Sequence, residues 1–109
     1  MREWDDRTPA RMEQRAELRS KAIALGVPES LHDGLLEYLV GRRPTGAFLR
    51  AVLCNDLKDA ALRASETNGR ELVAIVRFLV YHAPATSWGN ETIVSIWLSD
   101  PNPTPQAVD

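Results

Sequence analysis

The sequence has few cysteines and histidines and no long apolar run, which are the features that disulfides, metal sites and membrane spans require. Its one cysteine, Cys54, cannot form an intramolecular disulfide, and we expect it to be a small buried residue. The two histidines, His32 and His82, are too few for a protein-only transition-metal site. No stretch reaches the roughly 18 consecutive apolar residues that a membrane span needs, and no secretory signal follows the charged N-terminus. We therefore expect no metal, no cofactor, no membrane association and a cytoplasmic location.

A strong charge of one sign is absent as well. The 109 residues include 13 Lys+Arg against 15 Asp+Glu, for a net charge of −2, so no global basic field attracts nucleic acid. Hydrophobic residues make up 44% and charged residues 26%, which is typical of globular proteins and argues against a disordered chain. This length suits one compact domain.

Start and stop signals divide the chain into helical segments. Thr8 is an N-cap hydroxyl ahead of Pro9 at the first helical position, and Gly26 supplies a C-terminal stop. Between such signals, apolar residues recur at spacings of three and four, which is typical of amphipathic helices. The predicted helices cover residues 8–25, 28–41, 45–65, 69–83 and 91–98.

These segments predict an all-α fold, a small irregular bundle of about five helices in a single domain. The helical domain spans residues 8–99. It lies between a flexible arm at residues 1–7 and a proline-rich C-terminal tail at residues 100–109.

The third and fourth predicted helices each raise a question that the structure can answer: whether the third is continuous, and whether the fourth is a helix or a strand. Residues 45–65 are predicted to form one continuous, central helix, with a broad apolar stripe that includes Phe48 and Leu57. Residues 72–80 are rich in β-branched side chains, so a strand is the competing interpretation. The length of that segment and the capping residue Asn68 favour a helix.

The loop at residues 41–48 is the most suggestive candidate for binding. Arg42 and Arg43 precede a predicted helix N-terminus, where unpaired N–H groups attract anions and guanidinium groups bind phosphate with paired donors. Thr45 and Gly46 stand at that N-terminus, and Thr45 adds a hydroxyl donor or caps the helix. The lysine of a P-loop is absent. The alternative is a plain linker with two exposed arginines.

Two aromatic residues near the end of the fourth helix extend this hypothesis. Tyr81 and Trp88 can stack on a base, and ligand capture predicts a pocket that joins one of them to Arg42 or Arg43. The alternative is that Trp88 fixes the turn against the core.

An arginine stripe on the first helix is a second candidate surface. It repeats every four residues, at Arg7, Arg11, Arg15 and Arg19. The stripe could contact nucleic-acid phosphates or an acidic partner protein. It could equally be a solvated face, or a salt-bridge seam in an oligomer.

Candidate catalytic and metal-binding groups are few. His32 has Glu29 and Asp33 nearby, the minimum for general-base chemistry, but acidic residues in a first helical turn also complement the helix dipole. Asp56 and Asp59 lie one turn apart, and two carboxylates without further ligands make a weak cation site. We predict no catalytic residues and no metal ligands.

One long segment has a distinctive pattern. It reads VPESLHDGLLEYL at 27–39, continues through Gly41, Arg42 and Pro44 to GAFLRAVLCNDLKDA at 46–60, and ends in PATSWG at 84–89. This pattern resembles small, mostly uncharacterised proteins encoded by tailed phages and prophages. The resemblance covers residues 27–89 and brings no established catalytic residues. It implies an accessory phage protein that acts in the cytoplasm of a bacterial host.

Three hypotheses of function follow from these residues, and the host-defence role in the first is what the resemblance to phage proteins implies. The first is a non-catalytic binding protein that counters a host defence, by sequestering a nucleotide-like or other phosphate-bearing signal or by occluding a host defence protein. The alternative is a nucleic-acid-binding accessory factor that uses the arginine stripe. A further alternative is a small enzyme that uses His32. All three are compatible with a homo-oligomer.

Overall fold

The computed structural model describes residues 9–66 and 70–99, and these residues build an all-helical fold. Within these ranges the α-helices are α1 (Pro9–Leu25), α2 (His32–Leu39), α3 (Ala47–Leu53), α4 (Leu57–Arg63), α5 (Leu72–His82) and α6 (Glu91–Ser99). A 3-10 turn, Glu29–Leu31, precedes α2. The predicted all-α class and the small bundle are confirmed. The predicted arm, the tail, Thr8 and the Asn68 cap lie outside the described residues.

The core is assembled from one apolar face of each helix. On α5, Ile75, Phe78 and Leu79 stand at the helical spacing of three and four, and all are fully buried. Burying each such side chain contributes roughly 1.5–3 kcal/mol relative to leaving it exposed. Around them α1 packs on α5 and α2, and α3 packs on α4. Since residues 72–82 form a helix, the strand interpretation of residues 72–80 is excluded.

Local capping interactions end α1 and start α6 where the sequence predicts. Gly26 adopts a φ of +87°, its N–H donates to the carbonyl of Ile23 at 3.1 Å, and the N–H of Val27 donates to Ala22 at 3.0 Å. These two bonds form a Schellman motif that closes α1. At α6, the Asn90 side chain accepts a hydrogen bond from the N–H of Ile93 at 2.8 Å.

The prediction of one continuous helix over residues 45–65 is wrong. The chain breaks after α3, where Asn55 adopts a left-handed φ of +61° and its N–H donates to Val52 at 2.9 Å. The N–H of Asp56 donates to Ala51 at 2.8 Å, and its carboxylate then caps α4 by accepting from the N–H of Asp59 at 3.0 Å. Asn and Asp offer the backbone these local alternatives to a helix, which the apolar periodicity alone does not reveal.

The break reorients the residues that follow it. Leu57, which the stripe places in the core, is 70% exposed, whereas Ala60 is buried. The new axis of α4 therefore turns one end of the predicted stripe toward solvent.

We expect Asn55→Ala to lower the free energy of unfolding by about 1–2 kcal/mol, because alanine is penalised in the left-handed conformation. Asn55→Gly keeps that conformation accessible and serves as the matched control, with little change expected. Urea denaturation of the two variants measures the difference. An Asn55→Ala protein more stable than the parent would instead support a continuous helix.

Candidate functional site

The guanidinium of Arg42 stacks on the aromatic ring of Trp97. Its guanidinium carbon lies 3.3 Å from the centroid of the indole ring, and its Nη1 donates to the Trp97 carbonyl oxygen at 3.3 Å. This stacking combines a cation–π attraction with a hydrogen bond. The backbone of Arg42 is left-handed, with a φ of +58°, a conformation that costs free energy in a residue other than glycine.

Trp97 is in turn fixed by Tyr38. The indole Nε1 of Trp97 donates to the Tyr38 carbonyl oxygen at 2.8 Å, and the two ring centroids lie 6.3 Å apart. Tyr38 is fully buried, and its hydroxyl donates to the Ser87 carbonyl oxygen at 2.5 Å. The Tyr38 carbonyl group thus bonds α2 to α6, and the Tyr38 hydroxyl bonds α2 to the loop before α6.

That loop is pinned at two further points. Ser87 closes a tight turn, since its hydroxyl and its N–H both donate to the Pro84 carbonyl oxygen, at 2.6 and 2.9 Å. The N–H of Gly89 donates to the Leu53 carbonyl oxygen at 2.8 Å. The loop therefore connects the end of α5 to the end of α3 through hydrogen bonds.

A cleft of about 900 Å³ opens beside Arg42. Its walls come from α1, the end of α5, the following loop and α6. Among the described residues that line it, the cations Arg11, Lys21 and Arg42 outnumber the one carboxylate, Glu17. The cleft therefore favours an anionic occupant.

Aromatic side chains line the same cleft. Tyr81 is 65% exposed there, and it meets His82 edge to face with ring centroids 6.3 Å apart. His82 also packs on Phe78 of the core, at 5.8 Å between centroids. An exposed ring anchored to the core in this way can stack on a planar group of a ligand.

The structure brings together two of the six predicted ligand-binding residues, Arg42 and Tyr81, and leaves the other four outside the cleft. Arg43 forms an ion pair with Glu37, and the Thr45 hydroxyl donates to the Gly46 carbonyl oxygen at 3.1 Å. Gly46 is the N-cap of α3, without a side-chain cap. Trp88 packs partly buried against the core, as the alternative interpretation has it, and lines a different cavity.

Two arginines of the stripe form ion pairs between α1 and α2. Arg15 pairs with Glu37 at 2.5 Å, and Arg19 pairs with Asp33 at 2.8 Å. The hydrogen bond and the charge of Arg19 lower the pKa of the Asp33 carboxyl. Arg11 instead lines the cleft, and Arg7 lies outside the described residues. Sequence reasoning missed Lys21 and Trp97, because neither belongs to a local motif.

The candidate catalytic residues do not share a cleft. His32 is 4% exposed, and its Nε2 donates to the Val27 carbonyl oxygen at 2.8 Å, while Asp33 is engaged by Arg19 on the surface. Asp59 pairs with Arg63 at 3.0 Å. Across residues 9–66 and 70–99, no three potential metal ligands cluster together.

No family model, curated protein or solved structure matches this chain. Among the helices of the described part, none has both the length and the apolar character needed to cross a membrane.

Tyr38→Phe should lower the free energy of unfolding by about 1–3 kcal/mol, because the buried Ser87 carbonyl oxygen loses its donor.

Burial also raises the pKa of the Tyr38 hydroxyl above its usual range. The folded state thus retains a proton that the unfolded chain releases above about pH 10, so stability falls as the pH rises through that region. Urea denaturation at neutral and alkaline pH tests both points. The same alkaline loss in Tyr38→Phe as in the parent would contradict the second.

Proposed function

We propose that this protein is a non-catalytic binding protein whose cleft holds a nucleotide-like or other phosphate-bearing ligand. The observation that carries the proposal is the Arg42 guanidinium, stacked 3.3 Å from the centroid of the Trp97 ring at the wall of a positively charged cleft. A guanidinium held in one orientation loses little conformational entropy when it binds a phosphate.

The spacing of the other cations favours an extended ligand. Lys21 follows Arg11 by ten positions on α1, which corresponds to about 15 Å along the helix axis. A single inorganic phosphate cannot span that distance. A ligand with two linked phosphates, or with a phosphate, a sugar and a base, extends over more of the cleft that Arg42 and Lys21 both line.

The aromatic wall supplies the second half of the recognition. The exposed ring of Tyr81 can stack on a nucleobase, and stacking of this kind contributes about 1–3 kcal/mol per base. Phosphate contacts at one side and a stacked ring at the other are the combination that a nucleotide requires.

Binding without chemistry is the simplest role for this cleft. His32, the candidate general base, is buried against a backbone carbonyl and is not among the cleft residues. The ion pairs of Arg15 and Arg19 with α2 also favour a small ligand over nucleic acid, since these arginines already contact carboxylates.

The resemblance of residues 27–89 to phage proteins extends the proposal to a biological role. An accessory phage protein with such a cleft would sequester a nucleotide-like signal of the bacterial host defence. Occlusion of a host protein by the same face is the alternative form of this role.

The two lysines of the sequence, Lys21 and Lys58, provide a matched test of the cleft. Lys21 lines the cleft, whereas Lys58 lies exposed on α4. Calorimetric titration with cyclic di-AMP, ADP-ribose and pyrophosphate measures binding. We expect Lys21→Gln to weaken the binding of a nucleotide probe about threefold to tenfold, the loss of one exposed charged contact, and Lys58→Gln to leave it unchanged.

Lysine acetylation followed by mass spectrometry gives an independent readout. The bound probe should slow acetylation of Lys21 and leave that of Lys58 as in the free protein. Absence of heat with all three probes, or equal protection of both lysines, contradicts a nucleotide-binding cleft and leaves protein occlusion as the remaining form.

A further inference from the structure

A second cavity, of about 350 Å³, lies where the α3–α4 break meets α5 and the loop before α6. Its walls are mostly apolar: Val52, Leu57, Ala60, Leu72, Val76 and Trp88. Leu57 is 70% exposed and Val76 is 36% exposed, so large apolar side chains here face water. An apolar molecule seated in this cavity removes that surface from water, which favours binding.

The polar groups of this cavity come from the α3–α4 break. Asn55 and Asp56 line it beside the apolar walls. One oxygen of Asp56 caps α4, and the carboxylate makes no ion pair with a described residue. Among the described residues that line this cavity, Asp56 is the charged one, so their net charge is negative, whereas that of the described residues of the cleft beside Arg42 is positive.

We propose that this cavity is a second ligand site, which takes a small apolar molecule that carries a cationic amine. The apolar body covers Leu57, Val76 and the ring of Trp88. The ammonium group bonds the Asp56 oxygen that does not cap α4.

The charge of the ligand follows from the cost of covering Asp56. A neutral or anionic apolar molecule would displace water from part of the exposed Asp56 carboxylate without supplying a partner, which is unfavourable, whereas an ammonium group supplies both charge and donors. A volume near the lower end of the range for ligand pockets fits one aromatic ring with a short aminoalkyl chain.

Three probes with the same ring and chain but different head groups test this proposal. They are 2-phenylethylamine, 2-phenylethanol and phenylacetate. The indole N–H signal of Trp88, assigned among the three tryptophans with Trp88→Phe, reports binding in a ¹H–¹⁵N NMR titration of the full chain. We expect a saturable shift with the amine at millimolar concentration, a weaker response to the alcohol, and none to phenylacetate.

Two pairs of proteins separate the charge contribution from the apolar one. Asp56→Asn keeps a good N-cap but removes the charge, so the amine should bind about threefold to tenfold more weakly than to the parent. Val76→Trp fills the cavity and should abolish binding. Val80→Trp, at a 59% exposed position on the same helix and outside the cavity, is the matched control and should bind as the parent does.

Several outcomes overturn the proposal. Equal affinity for amine and alcohol, or unchanged amine binding by Asp56→Asn, shows that the carboxylate does not select the ligand. Amine binding that survives Val76→Trp, or shifts confined to residues of the cleft beside Arg42, places the amine elsewhere. Lys21→Gln, which tests the cleft, should not alter amine binding, so the two proposals fail independently.

Discussion

The hydrogen bond from the buried Trp97 indole to the Tyr38 carbonyl oxygen, at 2.8 Å, is the contact on which the cleft depends. It fixes the ring on which Arg42 stacks, and Tyr38 extends the same network to the loop at Ser87. A buried N–H without an acceptor is costly, so the indole orientation is strongly determined. Because the Arg42 guanidinium stacks on this indole, the position of the ring also orients the cation. Stability of the core and preorganisation of the cleft therefore share one set of contacts.

Backbone conformation connects the two cavities. The left-handed residues other than glycine in the described chain are Arg42 and Asn55, and each lines one cavity. Such a conformation costs free energy and persists where its surroundings compensate. At Arg42 the compensation is the stack on Trp97. At Asn55 it is the pair of backbone bonds that closes α3, together with the Asp56 cap of α4.

Charge is distributed so that different arginines have different roles. Arg15 and Arg19 join α1 to carboxylates of α2, which compensates for the narrow apolar face of α1, where Ala22 is the buried residue. Arg42 and Arg11 line the cleft. The chain has a net charge of −2, yet among the described residues of the cleft the cations outnumber the carboxylates, and the cavity at Asp56 has a different lining. Net charge alone could not distinguish these two surfaces.

The sequence by itself determined the helical class and the helix ends at Gly26 and Asn90, because caps and apolar spacing act over a few neighbouring residues. It also predicted six ligand-binding residues, of which Arg42 and Tyr81 line one cleft. Only the tertiary structure decided that Arg42 meets Trp97, 55 positions away, that Trp97 bonds Tyr38, 59 positions away, and that Trp88 lies in another cavity. Such pairings depend on how the helices pack, and no local pattern encodes them. The break between α3 and α4 is an intermediate case. The residues that cause it, Asn55 and Asp56, act locally, but the apolar periodicity on both sides of them predicts a continuous helix.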